Sequence, residues 1–159
     1  MSSRVLVAYA SKCGSTGEVA EAIGQVLCDA GMAVDVRRVQ DVQDLHPYRA
    51  VVIGSAARMG RLLPDAVRFA KKHAQALSGM TTAYFTTGTT MKEDTPENRK
   101  MAASFLDPLR QIKEPVGLGL FAGKVDPATL EPLWRLLMSQ VKSGAMAAGE
   151  IAPALSKTA

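Results

Sequence analysis

The sequence predicts an α/β domain built around a mostly parallel, doubly wound sheet. Two apolar runs, Val5–Ala10 and Ala50–Gly54, lack the polar alternation of a sheet with one wet face, so both read as strands covered on both sides. Between and after them lie stretches of helical period, and the elements alternate as β-α-β-β-α-β-α-β-α. Parallel strands need crossovers, and right-handed crossovers of this kind leave doubly wound topologies.

Taken in order, Val5–Tyr9 is the first strand, and Ser11–Thr16 is a small polar turn. From Gly17 to Gly31 the pattern is helical, with Val19, Ile23, Leu27 and Ala30 on one face and Gly31 as the stop. Ala33–Val39 reads as a strand whose charges suit a sheet edge. After the strand Ala50–Gly54 comes a loop, Ser55–Leu62. Pro64 opens a helix to Leu77, with Val67, Ala70, Ala74 and Leu77 inward and Arg68, Lys71 and Lys72 outward. Met80–Thr87 is the next strand, and Thr95-Pro96-Glu97 reads as a capped helix start. That helix carries Met101, Phe105 and Leu106 until Asp107-Pro108 interrupts it. Val116–Phe121 is the fifth strand. A last helix from Asp126 holds Leu130, Trp134 and Leu137 and ends at Gly144. The domain is read as residues 1–145, with 146–159 an Ala-, Gly-, Ser- and Thr-containing tail.

Composition narrows the function classes. A chain of 159 residues is one domain of ordinary size, large enough to bury a core without disulfides. Its net charge of +4 falls short of a nucleic-acid-binding composition. Cys13 and Cys28 make neither a disulfide framework nor a C-x-x-C pair. No signal peptide and no apolar stretch long enough to span a bilayer is evident, so a cytoplasmic protein is the expectation. His46 and His73 fall in or beside polar segments with no second ligand at metal spacing, so no metal site is expected.

In doubly wound sheets ligands sit beyond the carboxyl ends of the strands. Three loops qualify: Ser11–Thr16, Ser55–Gly60 and Thr86–Lys92, all rich in small residues. The first runs into a helix, whose N-terminal amides suit a phosphate, with Ser11, Ser15 and Thr16 as further donors. By itself the loop is better read as Ser15 or Thr16 acting as a plain N-cap. Known loop chemistries fail on spacing. Gly14 has no G-x-x-x-x-G-K-[ST] partner, and no G-x-G-x-x-G occurs. A cysteine phosphatase loop would need Arg six residues after Cys13, where Val19 stands. The acidic positions of a receiver domain are held by Ala10, Ser11 and Gly54.

Tyr9-Ala-Ser-Lys-Cys-Gly-Ser-Thr16 resembles the flavodoxin phosphate loop T/S-x-T/S-G-x-T, with Ser11, Gly14 and Thr16 on pattern and Cys13 off it. Val52–Gly60, Ala66–His73 and Thr95–Asn98 are similar to the flavodoxin-like branch that includes menaquinone-dependent protoporphyrinogen oxidase. The resemblance implies a flavodoxin-like three-layer sandwich with strand order 2-1-3-4-5. It also implies FMN as cofactor, its phosphate on Ser11, Lys12, Cys13, Gly14, Ser15 and Thr16. Ala56, Ala57, Arg58, Met59 and Gly60 would flank the ring, and Thr86, Thr87, Gly88 and Thr89 would meet its other side. In flavodoxins a carbonyl of the second loop turns toward flavin N5, and the Met59–Gly60 peptide occupies that place here. No side chain need act as catalytic acid or base, because the chemistry belongs to the flavin.

Two features depart from the flavodoxin pattern. No aromatic stands in either flavin loop, and Met59 occupies the expected position. Arg58, Arg61, Arg68, Lys71 and Lys72 face only Asp65 in their segment, which suits a solvated helix face or an anionic partner. The expected function is therefore an FMN-binding redox protein, an electron carrier or flavin oxidoreductase. Its partners would be a redox protein, a quinone or an anionic small molecule, with peripheral membrane contact compatible and nucleic acid not. The alternative is a flavin-free interaction or regulatory module on the same fold. Cys13 at a helix start reads as a small loop residue, Cys28 as inert, and the Met residues as core.

Overall fold

The computed structural model describes residues 4–12 and 14–122. Cys13, the helix expected from Asp126 with Trp134, and the 146–159 tail lie outside the described residues. Six strands appear: β1 (Val5–Ala10), β2 (Val34–Arg38), β3 (Ala50–Arg58), β4 (Arg61–Leu62), β5 (Thr81–Thr87) and β6 (Gly117–Phe121). The main sheet is parallel in the order β2-β1-β3-β5-β6, which is the expected 2-1-3-4-5 once the short β4 is set aside. β4 pairs antiparallel with the end of β3.

Strand alternation sends side chains to two separate cores. Val5, Val7, Ala50, Val52, Ala83, Phe85 and Phe121 pack on one face with Val19, Ala20, Ile23 and Leu27 of α1 (Gly14–Asp29). Leu6, Ala8, Val51, Ile53 and Tyr84 point the other way. They meet α2 (Pro64–Lys72), α3 (Ala74–Ser78), α4 (Pro96–Phe105) and α5 (Asp107–Arg110) through Phe69, Ala70, Leu77, Phe105 and Leu109. Each fully buried aliphatic side chain contributes about 1.5–3 kcal/mol, so these two cores hold the layers together. Tyr84 keeps its polar end satisfied by donating to the Lys113 carbonyl at 2.6 Å, and burial pushes its phenol up to about 12.

Local signals account for the element ends. Gly31, at φ +97°, closes α1: its N–H donates to Cys28 O, and Met32 N–H donates to Leu27 O. Thr95 caps α4, its hydroxyl accepting from Asn98 N at 3.1 Å. The half-exposed β2 sits at the sheet edge, as its charges indicated.

Four expectations need correction. α1 begins at Gly14 rather than Gly17, so Ser15 and Thr16 belong to its first turn. The helix expected over Pro64–Leu77 breaks at His73, where ψ turns to 18°. His73 itself is buried, although Lys71 and Lys72 beside it are exposed: the inward face of α2 is Ala66, Phe69 and Ala70, and His73 continues it at i+4 from Phe69. The methionines are not uniformly core, since Met32 is buried but Met59 and Met101 are exposed.

Candidate functional site

Parallel register brings the ends of three strands together. Ala10 lies opposite Ser55, Ser55 opposite Thr86, and Ala56 opposite Thr87. The chain leaves β1 toward β2 on one side and resumes at β3 on the other, so the strand order reverses between β1 and β3. A cleft at the carboxyl edge beside such a reversal is where doubly wound sheets take their ligands. All three loops singled out in the sequence emerge there.

The first loop is short. Ser11 is half-buried, Lys12 is exposed, and α1 starts at Gly14. The first amides of a helix have no partner within it and aim at the cleft edge with a partial positive charge. Thr16 is fully buried, and its hydroxyl shares a 2.8 Å hydrogen bond with that of Thr87. That tie explains the early helix start: Gly, Ser and Thr are poor helix formers, but here the first turn is anchored to β5.

The second loop is a hairpin rather than a loop. β3 continues to Arg58, the chain turns through Met59 (φ 52°) and Gly60 (φ 77°), and it returns through Arg61 and Leu62. Two consecutive positive φ values define a type I′ turn, whose twist suits the flanking strands. The usual signal is Asn-Gly or Asp-Gly, so Met-Gly concealed it. Ser55 locks the base: its Oγ donates to Ala56 O at 2.8 Å and accepts from Leu63 N at 3.0 Å. Ala56 and Ala57 are half-buried, whereas Arg58, Met59 and Gly60 are exposed.

Thr86 and Thr87 of the third loop still belong to β5 and are buried. Gly88 donates its N–H to Phe121 O at 3.0 Å, so that amide is already used. Thr89, exposed, opens a single 3₁₀ turn to Lys92. Thr86 Oγ1 is buried with no hydrogen-bond partner among the described residues.

One residue joins the site region without having been picked out for it. Phe105 of α4 places its ring against Gly60, 3.9 Å from where a Cβ would stand. Helical period marked Phe105 only as apolar, and no sequence signal pairs it with a hairpin forty-odd residues away. Within the basic cluster, Arg68 pairs with Asp65, while Arg58 and Arg61 stand directly opposite each other with no ion pair among the described residues. No group of metal-ligating side chains occurs among the described residues.

Small residues on three adjacent strand ends, a helix N-terminus and a buried hydroxyl unpartnered among the described residues make this a doubly wound domain whose carboxyl edge at the β1/β3 reversal is the position where such sheets take ligands. A family model described as "Flavodoxin domain" matches residues 6–150, and the chain belongs to that family. Protoporphyrinogen IX dehydrogenase [quinone] of Escherichia coli K12 is 28% identical over 108 residues, which are 65% of this chain and 60% of that protein. The chain thus aligns with less than two thirds of the length of that relative. Among solved structures, the Desulfovibrio gigas rubredoxin oxygen:oxidoreductase matches 89% of this chain and 36% of its own, with a TM-score of 0.66 at 16% identity. The two-electron reduced flavodoxin of Megasphaera elsdenii matches 77% of this chain and 88% of its own, with a TM-score of 0.62 at 20% identity. At these identities the structures share the fold.

Proposed function

We propose that the cleft binds FMN non-covalently and that the chain passes electrons between redox partners. The observation that carries this reading is the in-register convergence of the three loops on β1, β3 and β5 beside the α1 N-terminus. The residues present fit the group: the edge at Ala56 and Ala57 carries only methyl side chains, and the buried Thr86 hydroxyl has no partner among the described residues. In this reading Ser11, Lys12, Cys13 and the amides of Gly14, Ser15 and Thr16 hold the phosphate. Ala56–Gly60 line one side of the ring, and Thr86–Thr89 the other. Thr16 acts through its backbone, since its hydroxyl is engaged with Thr87.

Bound FMN supplies one- or two-electron chemistry, and the protein sets its potential and its access. The Met59–Gly60 peptide lies between two positive-φ residues, and Gly60 can adopt either sign, so this carbonyl can reorient at low cost. A cytoplasmic location is compatible with Cys28, exposed and free. The electron partner belongs to the same proposal: a redox protein, a quinone, or an anionic substrate such as the relative's protoporphyrinogen. A flavin-free regulatory module is the second reading, favoured by the absence of any aromatic from Ser55 to Gly60.

Visible absorption of the purified protein, followed by titration with FMN, separates the two. Uptake near one FMN per chain, abolished by Gly14→Asp, is the expected result. No flavin and no uptake would overturn the redox reading and leave the module.

A further inference from the structure

We infer that the groove between α2 and the 3₁₀ turn Val39–Asp41 binds a small aromatic carboxylate, at a site separate from the three-loop cleft. Asp65, Arg68, Phe69, Lys72 and His73 recur at intervals of three and one, so they share one face over two turns. That face packs against the turn that follows β2, and a groove of about 250 Å³ lies between them. Its buried members, Val39, Val42, Phe69 and His73, make the floor. Its exposed members, Gln40, Asp65, Arg68 and Lys72, make the rim. None of these residues belongs to Ser11–Thr16, Ser55–Gly60 or Thr86–Lys92.

Floor and rim each select one part of the ligand. The Phe69 and His73 rings stand 4.7 Å apart, centroid to centroid, tilted by 54°. With Val39 and Val42 they offer an apolar wall on which a flat ring packs. The volume lies below the roughly 300–1,000 Å³ of sites for drug-sized ligands, which suits one or two rings. Charge follows from the rim. Arg68 already pairs with Asp65, whereas Lys72 has no ion-pair partner among the described residues, so the groove carries one uncompensated cation. Burial, then Lys72, hold the His73 imidazole below its ordinary value of 6.5 against a pull from Asp44, so at neutral pH the ring is uncharged. Its Nε2 is buried with no hydrogen-bond partner among the described residues. A neutral ring protonated there has an unused donor suited to a carboxylate. The sequence reads Arg68, Lys71 and Lys72 alike as an outward charged face. The structure puts Arg68 and Lys72 on the groove and leaves Lys71 off it.

Isothermal titration with naphthoate at neutral pH tests this on the full chain. A Kd at or below about 1 mM is expected, in the range that ligand efficiency gives a molecule of this size. Naphthylmethanol keeps the rings without the charge, and acetate keeps the charge without the rings. Each should bind at least roughly fivefold more weakly. Lys72→Glu should weaken naphthoate binding roughly tenfold, whereas Lys71→Glu, the same charge change one residue away, should weaken it less than about twofold. No naphthoate binding, equal losses in the two variants, or no preference over either analogue would each overturn the inference. Lys72→Gln and Lys71→Gln replace the pair if circular dichroism shows either charge reversal unfolded, with a loss of about threefold expected for Lys72→Gln alone. Saturating naphthoate should leave FMN uptake unchanged, and displacement of FMN would put the ligand in the cleft and overturn the inference. Failure to take up FMN at all would count against the cofactor proposal only, since the naphthoate measurements stand without it.

Discussion

Thr16 and Thr87 lie 71 positions apart in sequence and share a hydrogen bond of 2.8 Å between their buried hydroxyls. This bond ties the first turn of α1 to the end of β5, and so links the helix that would hold a phosphate to the strand that carries the third loop. A site that must keep a cofactor at a set distance from two loops benefits from such a tie.

Removing either hydroxyl strands the other in a buried position. Thr16→Val and Thr87→Val are each expected to cost about 1–3 kcal/mol in urea unfolding. The double variant should cost little more than either single one, because no polar group is then left unpaired. Additive losses would show that the two hydroxyls act independently.

Met59→Gly should stabilise the protein by about 0.5–1 kcal/mol, since glycine adopts positive φ without steric cost and Met59 has no packing to lose. Thermal unfolding checks this directly. A loss of stability would mean that the Met59 side chain makes contacts in solution that its full exposure denies.

Gly54→Ala should be severe. A Cβ at this position would stand 1.9 Å from the Phe85 ring, and backbone on β3 and core on β5 leave no room to retreat. A loss of about 3 kcal/mol is expected, at the upper end for overpacking, with Phe85 displaced from its edge contact with Phe121. Gly88→Ala is the comparison, since its Cβ would meet only ordinary contacts at 3.5 Å.

His73 makes stability depend on pH. Burial, and then the neighbouring Lys72, hold its imidazole below the ordinary value of 6.5, against an opposing pull from Asp44. The unfolded chain therefore binds a proton at a pH where the folded protein does not, and stability falls as pH drops below about 6.5. Above about pH 7 both states are neutral, and this contribution is fully present. Urea midpoints measured from about pH 8 to about pH 5 should decline, and His73→Gln should flatten that part of the decline.

Much of the framework was legible in the residues. Unbroken apolar runs at Val5–Ala10 and Ala50–Gly54, the stop at Gly31 and the cap at Thr95 all depend on local chemistry, and each appears where its signal lies. The three loops of the cleft were legible for the same reason, because strand ends in a parallel sheet place their loops on one edge. Family membership, too, rested on the short motif spacing around Ser11, Gly14 and Thr16.

Other features depended on partners distant in sequence. His73 reads as a residue in or beside a polar segment until Phe69 and the packed face of α2 turn it inward. Ser55–Leu62 is read as a loop until β3 extends to Arg58 and Met59 accepts a left-handed backbone. The first turn of α1 gains three residues because Thr16 finds Thr87. Local propensity thus determined which elements exist and where the cleft opens. Tertiary packing decided which hydroxyls, rings and charges face it, because burial and long-range hydrogen bonds outweigh the small preferences a segment has alone.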